Sequence, residues 1–316
     1  MPRARDNTLA IAIPGPWQHR YVAANGARFH VAESLRSHLD DAPLVLLLHG
    51  FPEFWWSWRA QLPELSAAGY RAAAMDLRGY GGSDKPPRGY DPNTLAQDVS
   101  GVVKALGARS AVVVGHGWGG YVGWATAALY PREVSALCAV SAPHPRVMLK
   151  VLRPGHRVLA LQHVLAMQLP VLPERRLSDP RAGFVRSHLS AWSSPDSPFP
   201  DDAAVATYTE ALSLWPAPHC ALEYHRWLFR SRLRADGRAF DRLMSGRVGQ
   251  PLCVIHGDDD PAVPATSAAG SRAHVGDSYQ FRTLEGAGHF PHEEQPAAFN
   301  DLLLSWLARV SPVSDT

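Results

Sequence analysis

The stretch SAVVVGHGWGGYVGWATAALYP, residues 110–131, constrains the fold more than any other part of the chain. A β-branched apolar run meets a tight glycine-rich turn, and a small-residue helix pattern follows. An unbroken apolar run predicts a strand buried on both faces, because a half-exposed strand would alternate. A strand that passes through a short turn straight into a helix is half of a strand–helix–strand crossover, and it predicts a parallel sheet. The turn GHGWG has glycine at its first, third and fifth positions, with Gly117 at the centre. Such a turn holds its central residue at positive φ. Glycine adopts that geometry without steric penalty, so stability is no obstacle to Gly117.

The rest of the chain fits this unit. HRYVAANGARFHVAES (19–34) alternates on both sides of Asn25-Gly26, a dipeptide that predicts a two-residue hairpin turn. PLVLLLHG (43–50) is a second continuous apolar run, and YRAAAMDLRGYG (70–81) reads as a buried strand followed by a loop. A helical pattern lies near 57–68, with Gly69 as its stop. TLAQDVSGVVKALG (94–107) predicts a helix with Thr94 and Gln97 at capping-box spacing and Gly107 at its end. VSALCAVSAP (134–143), PLCVIHGDDD (251–260) and SYQFRTLEGAGH (278–289) read as further strands, and PAAFNDLLLSWLARV (296–310) as the last helix. Residues 144–246 are rich in proline and aromatics and carry helical patterns without a convincing buried strand. The expected architecture is α/β: a mostly parallel, eight-stranded sheet flanked by helices. Its core spans 1–143 and 247–316, and 144–246 form a helical cap over the carboxyl ends of the strands, where clefts of open α/β sheets lie.

Composition removes several function classes. The chain has 316 residues, 46% of them hydrophobic, enough for a large core. The net charge is +2 and the arginines are scattered, which does not suggest nucleic-acid binding. Cys138, Cys220 and Cys253 lie far apart and match no metal spacing, so buried, reduced thiols are expected. The N-terminus begins basic, but Pro14 and Pro16 break its short apolar run, and no run reaches membrane-spanning length. A cytoplasmic location is the expectation. Monomer and homodimer both remain open.

Four signals fall at predicted strand ends: HGFPEFWWSW (49–58), the turn at 115–119, HGDDDPAVP (256–264) and GAGHFPHEEQP (286–296). Together with MDLRGYGGSDKP they resemble the epoxide hydrolase branch of the α/β-hydrolases, across nearly the whole chain. The chain order nucleophile, acid, histidine is that of the superfamily. The resemblance implies a nucleophile elbow, usually Gly-His-Asp-Trp-Gly-Gly, whose aspartate attacks an epoxide carbon. A His–Asp pair then activates water to hydrolyse the ester.

Carried over residue by residue, His289 matches the general base and Asp260 its orienting acid. Asp258 and Asp259 are rivals that fit the spacing before proline less well. Phe51 and Trp118 match the residues whose backbone N–H groups form the oxyanion hole, and Pro52 matches a proline often found cis. Gly117 occupies the nucleophile position and does not match, so the covalent route is closed at that residue. The two cap tyrosines of the family align with His163 and His225, with Tyr224 adjacent to the second; imidazoles can also donate hydrogen bonds.

The remaining residues have plainer readings. His116 packs beside the elbow. Asp76, a conceivable stand-in nucleophile, more simply supports the loop below the site. Trp55, Trp56 and Trp118 are read as lining an apolar pocket for a small lipophilic substrate, rather than as plain core. No cofactor motif or metal-ligand cluster is present, so water is the expected co-substrate. Three readings follow: an epoxide hydrolase whose covalent step is impaired, a hydrolase in which His289 and Asp260 activate water against an epoxide or an ester, or a silent ligand binder.

Overall fold

The computed structural model describes residues 10–35, 42–152 and 159–313. The first nine residues of the basic N-terminal run lie outside these. The eight strands are β1 Trp17–Ala24, β2 Ala27–Ser34, β3 Leu44–Leu48, β4 Arg71–Met75, β5 Ala111–His116, β6 Val134–Val140, β7 Leu252–Gly257 and β8 Tyr279–Leu284. They form one sheet in the order β1-β2-β4-β3-β5-β6-β7-β8. β2 pairs antiparallel with β1 and β4, and every other neighbouring pair is parallel.

Sequence explains the central strands. LVLLL in β3 and AVVVGH in β5 are buried at every position, because helices cover both faces. The edge strands β1 and β8 alternate or stay half-exposed. Asn25 and Gly26 both have positive φ, +46° and +70°, the geometry of the tight hairpin turn joining β1 to β2. From β3 the chain steps to β4 on one side and returns to β5 on the other. The loops after β3 and β5 therefore diverge and open a crevice at their carboxyl ends.

Two helix starts differ from expectation. The helix Pro92–Ala105 is capped by Asp91, whose Oδ1 accepts from the Thr94 N–H at 3.0 Å while its Oδ2 accepts from the Thr94 hydroxyl. Thr94 is thus the third residue of the helix rather than its cap, because Pro92 fits the first turn, where no N–H is needed. The pattern at 57–68 splits into a short 3₁₀ turn, Trp55–Trp58, and a helix, Gln61–Ala67. Pro63 cannot donate backward, so it sits in the first turn of the second piece.

Between β6 and β7 the described residues hold seven α-helices and short 3₁₀ turns, and no strand. Leu159–Ala166 and Ala217–Arg230 both contribute walls to the central cavity. Cys138, Cys220 and Cys253 are free and buried. No helix among the described residues is long and apolar enough to cross a membrane.

Candidate active site

The site lies where β3, β5, β6, β7 and β8 end. β5 runs into the helix Trp118–Leu129 through Gly117, at φ +50° and ψ −112°. The turn is tight: a Cβ on Gly119 would collide with the Leu48 carbonyl. Gly117 is different. A Cβ there would meet only the Gly50 Cα at 3.7 Å and the His289 Nε2 at 3.8 Å, both ordinary contacts. The space above Gly117 is open, and His289 faces it.

The last strand delivers His289 on a turn fixed by Glu294, which accepts backbone N–H bonds from Gly288 and Phe290 and from Ser194. The His289 N–H also donates to the Trp192 carbonyl at 2.8 Å. Its ring Nδ1 lies 2.8 Å from Asp260 Oδ2. The other Asp260 oxygen accepts from the N–H groups of Ala262 and Val263, at 2.8 and 3.0 Å. Burial pushes the Asp260 carboxyl up, but His289 and His256 more than offset this and hold it below the usual carboxylate range. Asp260 is therefore ionised and accepts from Nδ1–H, which orients the ring so that Nε2 of His289 faces the cavity. Of its rivals, Asp258 holds the Gly286 N–H and Asp259 meets the Ser194 hydroxyl.

A buried brace fixes the loops around this pair. Glu53 Oε2 accepts from the Gly50 N–H at 3.0 Å and from His116 Nδ1 at 2.7 Å, and His116 Nε2 donates to the His289 carbonyl at 2.9 Å. With both nitrogens donating, His116 is an imidazolium. Burial alone would lower it, but Glu53 raises it above its ordinary value. Glu53, His116 and His292 form the one group of three possible metal ligands found among the described residues. His116 has no lone pair to offer a cation, so the group acts as an ion-paired brace.

The cavity offers about 70 Å³ to water-sized molecules and is lined by Phe51, Gly117, Trp118, His163, His225 and His289 among mainly apolar neighbours. His225 Nδ1 donates to the Ala221 carbonyl at 3.0 Å, and its Nε2 accepts from the Trp118 indole N–H at 3.1 Å. His163 Nε2 lies 3.0 Å from the same His225 nitrogen and must donate to it. The expectation of two free imidazole donors is thus halved: neutral His225 has no N–H to spare, and only the His163 proton can be redirected. Burial pushes His225 down to about 4, and burial plus neighbouring histidines push His163 well below its ordinary value, so the pair is neutral near pH 7.

Three expected pocket residues lie elsewhere. Trp56 packs on Tyr208, with the Arg59 guanidinium over its ring at 3.7 Å. Trp55 is fully buried beneath the site. Its indole donates to the Ile11 carbonyl at 2.8 Å, and its ring packs on Trp17 and His19. Its backbone N–H donates to Asp76 Oδ1 at 2.8 Å. The Tyr224 hydroxyl donates to the Arg78 carbonyl at 2.7 Å, and its ring packs on Tyr80 and Tyr90. One helical step from His225 turns it away from the cavity. Asp76 is fully committed to the Trp55 and Gly82 N–H groups and to His30, so it is a loop support.

The structure also adds residues that the sequence reading missed. Trp192 lines the cavity and packs edge-on against His289 at 4.9 Å. His188 packs against Trp192 at a tilt, 4.3 Å between ring centres, and burial followed by His289 pushes it well below its ordinary value. Ser141 lines the cavity at positive φ, +47°. The sequence reading placed it inside the predicted strand 134–143, and only the structure ends β6 at Val140 and exposes the residue's unusual backbone.

The α/β hydrolase fold family matches residues 43–296. The chain is 32% identical to the AB hydrolase superfamily protein YfhM of Bacillus subtilis, over 91% of this chain and 97% of that one. It is 31% identical to epoxide hydrolase A of Mycobacterium tuberculosis, over 91% of this chain and 96% of that one. The crystal structure of epoxide hydrolase A from Mycobacterium thermoresistibile superposes with a TM-score of 0.78 at 25% identity, covering 95% of this chain and all of the other. The chain therefore belongs to the α/β-hydrolases, in their epoxide hydrolase branch.

Proposed function

We propose that this hydrolase opens a lipophilic epoxide to a vicinal diol by direct attack of water, with His289 as general base and Asp260 as its orienting acid. The observation that carries this reading is the His289 Nε2, 3.8 Å from the point where a side chain on residue 117 would begin. A water placed there meets the base where the family would place its nucleophile. Water attacks a ring carbon and its proton passes to Nε2. The ring oxygen leaves with the C–O bonding pair and takes a proton, for which the donor is the His163 N–H once it is redirected from His225. The residues from about 144 to 246 act as the cap that supplies His163 and His225 and excludes bulk water. A positioned general base contributes on the order of 10²–10⁴-fold, so turnover is slow beside a covalent enzyme.

The backbone N–H groups of Phe51 and Trp118 have no acceptor among the described residues. That pair also suits the carbonyl oxygen of an ester, which makes ester hydrolysis the second reading. The test is a panel of aryl epoxides and aryl esters run with the protein and with His289→Ala. Epoxide turnover that disappears in the variant supports the proposal. Ester turnover alone supports the second reading, and ligand-induced stabilisation without turnover leaves a binder.

A further inference from the structure

Ser141 presents a hydroxyl that the fold leaves unused. β5 and β6 are paired so that His116 lies opposite Val140, and the Gly117 N–H donates to the Val140 carbonyl at 3.0 Å. Ser141, the next residue, therefore stands beside Gly117. It is 1% exposed, and its Oγ has no hydrogen-bond partner. Its φ of +47° is one that residues with side chains avoid, and its N–H is tied to the Ile255 carbonyl at 2.9 Å. A buried orphan hydroxyl and a strained backbone both cost free energy, and both cluster at ligand sites.

Other donors surround the same space. The Trp118 N–H opens a 12-residue helix, and Phe51 lines the same cavity. His289 is 6% exposed and its Nε2 has no protein partner. No aspartate or glutamate lines the cavity among the described residues. A Cβ on Gly117 would meet nothing closer than 3.7 Å, so the space there admits a small group. We infer that the space above Gly117 is a binding site for a small exogenous carboxylate, held by the Ser141 hydroxyl and the N–H groups of Phe51 and Trp118, and that this anion serves as the nucleophile residue 117 does not supply.

The inference rests on the epoxide reading for its chemistry, though not for the binding. A carboxylate oxygen attacks an epoxide carbon, a C–O bond forms, and the ring C–O bond breaks. The ring oxygen keeps the bonding pair and takes one proton from solvent, which gives a 2-hydroxyalkyl ester. Water, deprotonated by His289, then attacks the acyl carbon. The acyl C–O bond breaks, the diol leaves as the alcohol, and the carboxylate is regenerated. The proton taken up in the first step is returned in the second.

Sodium formate is the probe, with acetate and benzoate for comparison. Its binding is read by thermal shift on the full chain, Ser141→Ala and Gly117→Asp, and diol formation from an aryl epoxide is followed in parallel. The expected result is saturable stabilisation of the unmodified chain by formate, weaker by acetate and absent with benzoate. Ser141→Ala should raise the apparent formate Kd about tenfold or more, since a hydrogen bond to a charged group is lost. Gly117→Asp should abolish the saturable response. Diol formation should rise with formate along the same binding curve, with a formate ester detectable by mass spectrometry. An equal response in all three proteins, or none, overturns the anion site while leaving direct water attack standing. Formate binding with no turnover of any epoxide keeps the site, removes the nucleophile role and overturns the epoxide reading.

Discussion

Restoring a carboxylate with Gly117→Asp is the sharpest perturbation available. The structure sets its cost. The new Cβ meets nothing closer than 3.7 Å, so no neighbour must move. What remains is the backbone: a side chain at φ +50° is disfavoured by about 1–3 kcal/mol. Folding stability should fall by that amount, with a melting temperature lower by roughly 2–6 °C. The gain is chemical. Losing a nucleophile in comparable machinery costs on the order of 10⁴–10⁶-fold. Restoring it should raise epoxide turnover by on the order of 10²-fold or more, short of the full range because His225 has no free N–H for the ring oxygen. Adding His225→Tyr should raise it further. The assay pairs turnover with electrospray mass spectrometry of Gly117→Asp/His289→Ala, in which attack proceeds and hydrolysis is blocked. An ester adduct with the mass of the epoxide is expected. A folded double variant that forms no adduct, with no gain in turnover for Gly117→Asp, would show that the crevice does not present an epoxide to residue 117.

Asp260→Asn keeps the shape of the acid and removes its charge, so turnover should fall about 10³–10⁴-fold with little change in KM, as read by steady-state kinetics. Acid should destabilise the fold between about pH 6.5 and 4. His225 and His292 are each pushed down to about 4, mainly by burial, so below pH 6.5 the unfolded chain binds protons that the folded one refuses. Thermal melts across that window should show falling stability as pH drops, with a smaller drop in His225→Phe. His116 opposes the trend, because its raised value adds stability at low pH. Asp91→Ala removes the cap of the helix Pro92–Ala105 and should cost about 1 kcal/mol in urea unfolding with turnover intact. A chelator should leave turnover unchanged.

Much of the fold was legible because burial leaves period and punctuation in the sequence. The apolar runs of β3 and β5 and the Asn25-Gly26 turn each had one physical solution. The Asp260–His289 contact was legible from the strand ends that carry them. Side-chain direction was not. Trp55 and Tyr224 sit beside motif residues, yet their rings point into the core, and one residue of register decides that. The hydrogen-bond direction between His163 and His225 depends on the Trp118 indole, a partner more than a hundred positions away from His225. Ser141 was hidden for another reason: a serine after a strand is ordinary, and only its positive φ and orphan hydroxyl set it apart.

Direct water attack is tested most directly by one turnover in H₂¹⁸O, with the protein in excess over a lipophilic epoxide and no carboxylate in the buffer. If His289 activates water above Gly117, the first diol formed carries one ¹⁸O. If any side chain attacks first, that diol carries the side chain's own oxygen and is unlabelled, which would contradict the account.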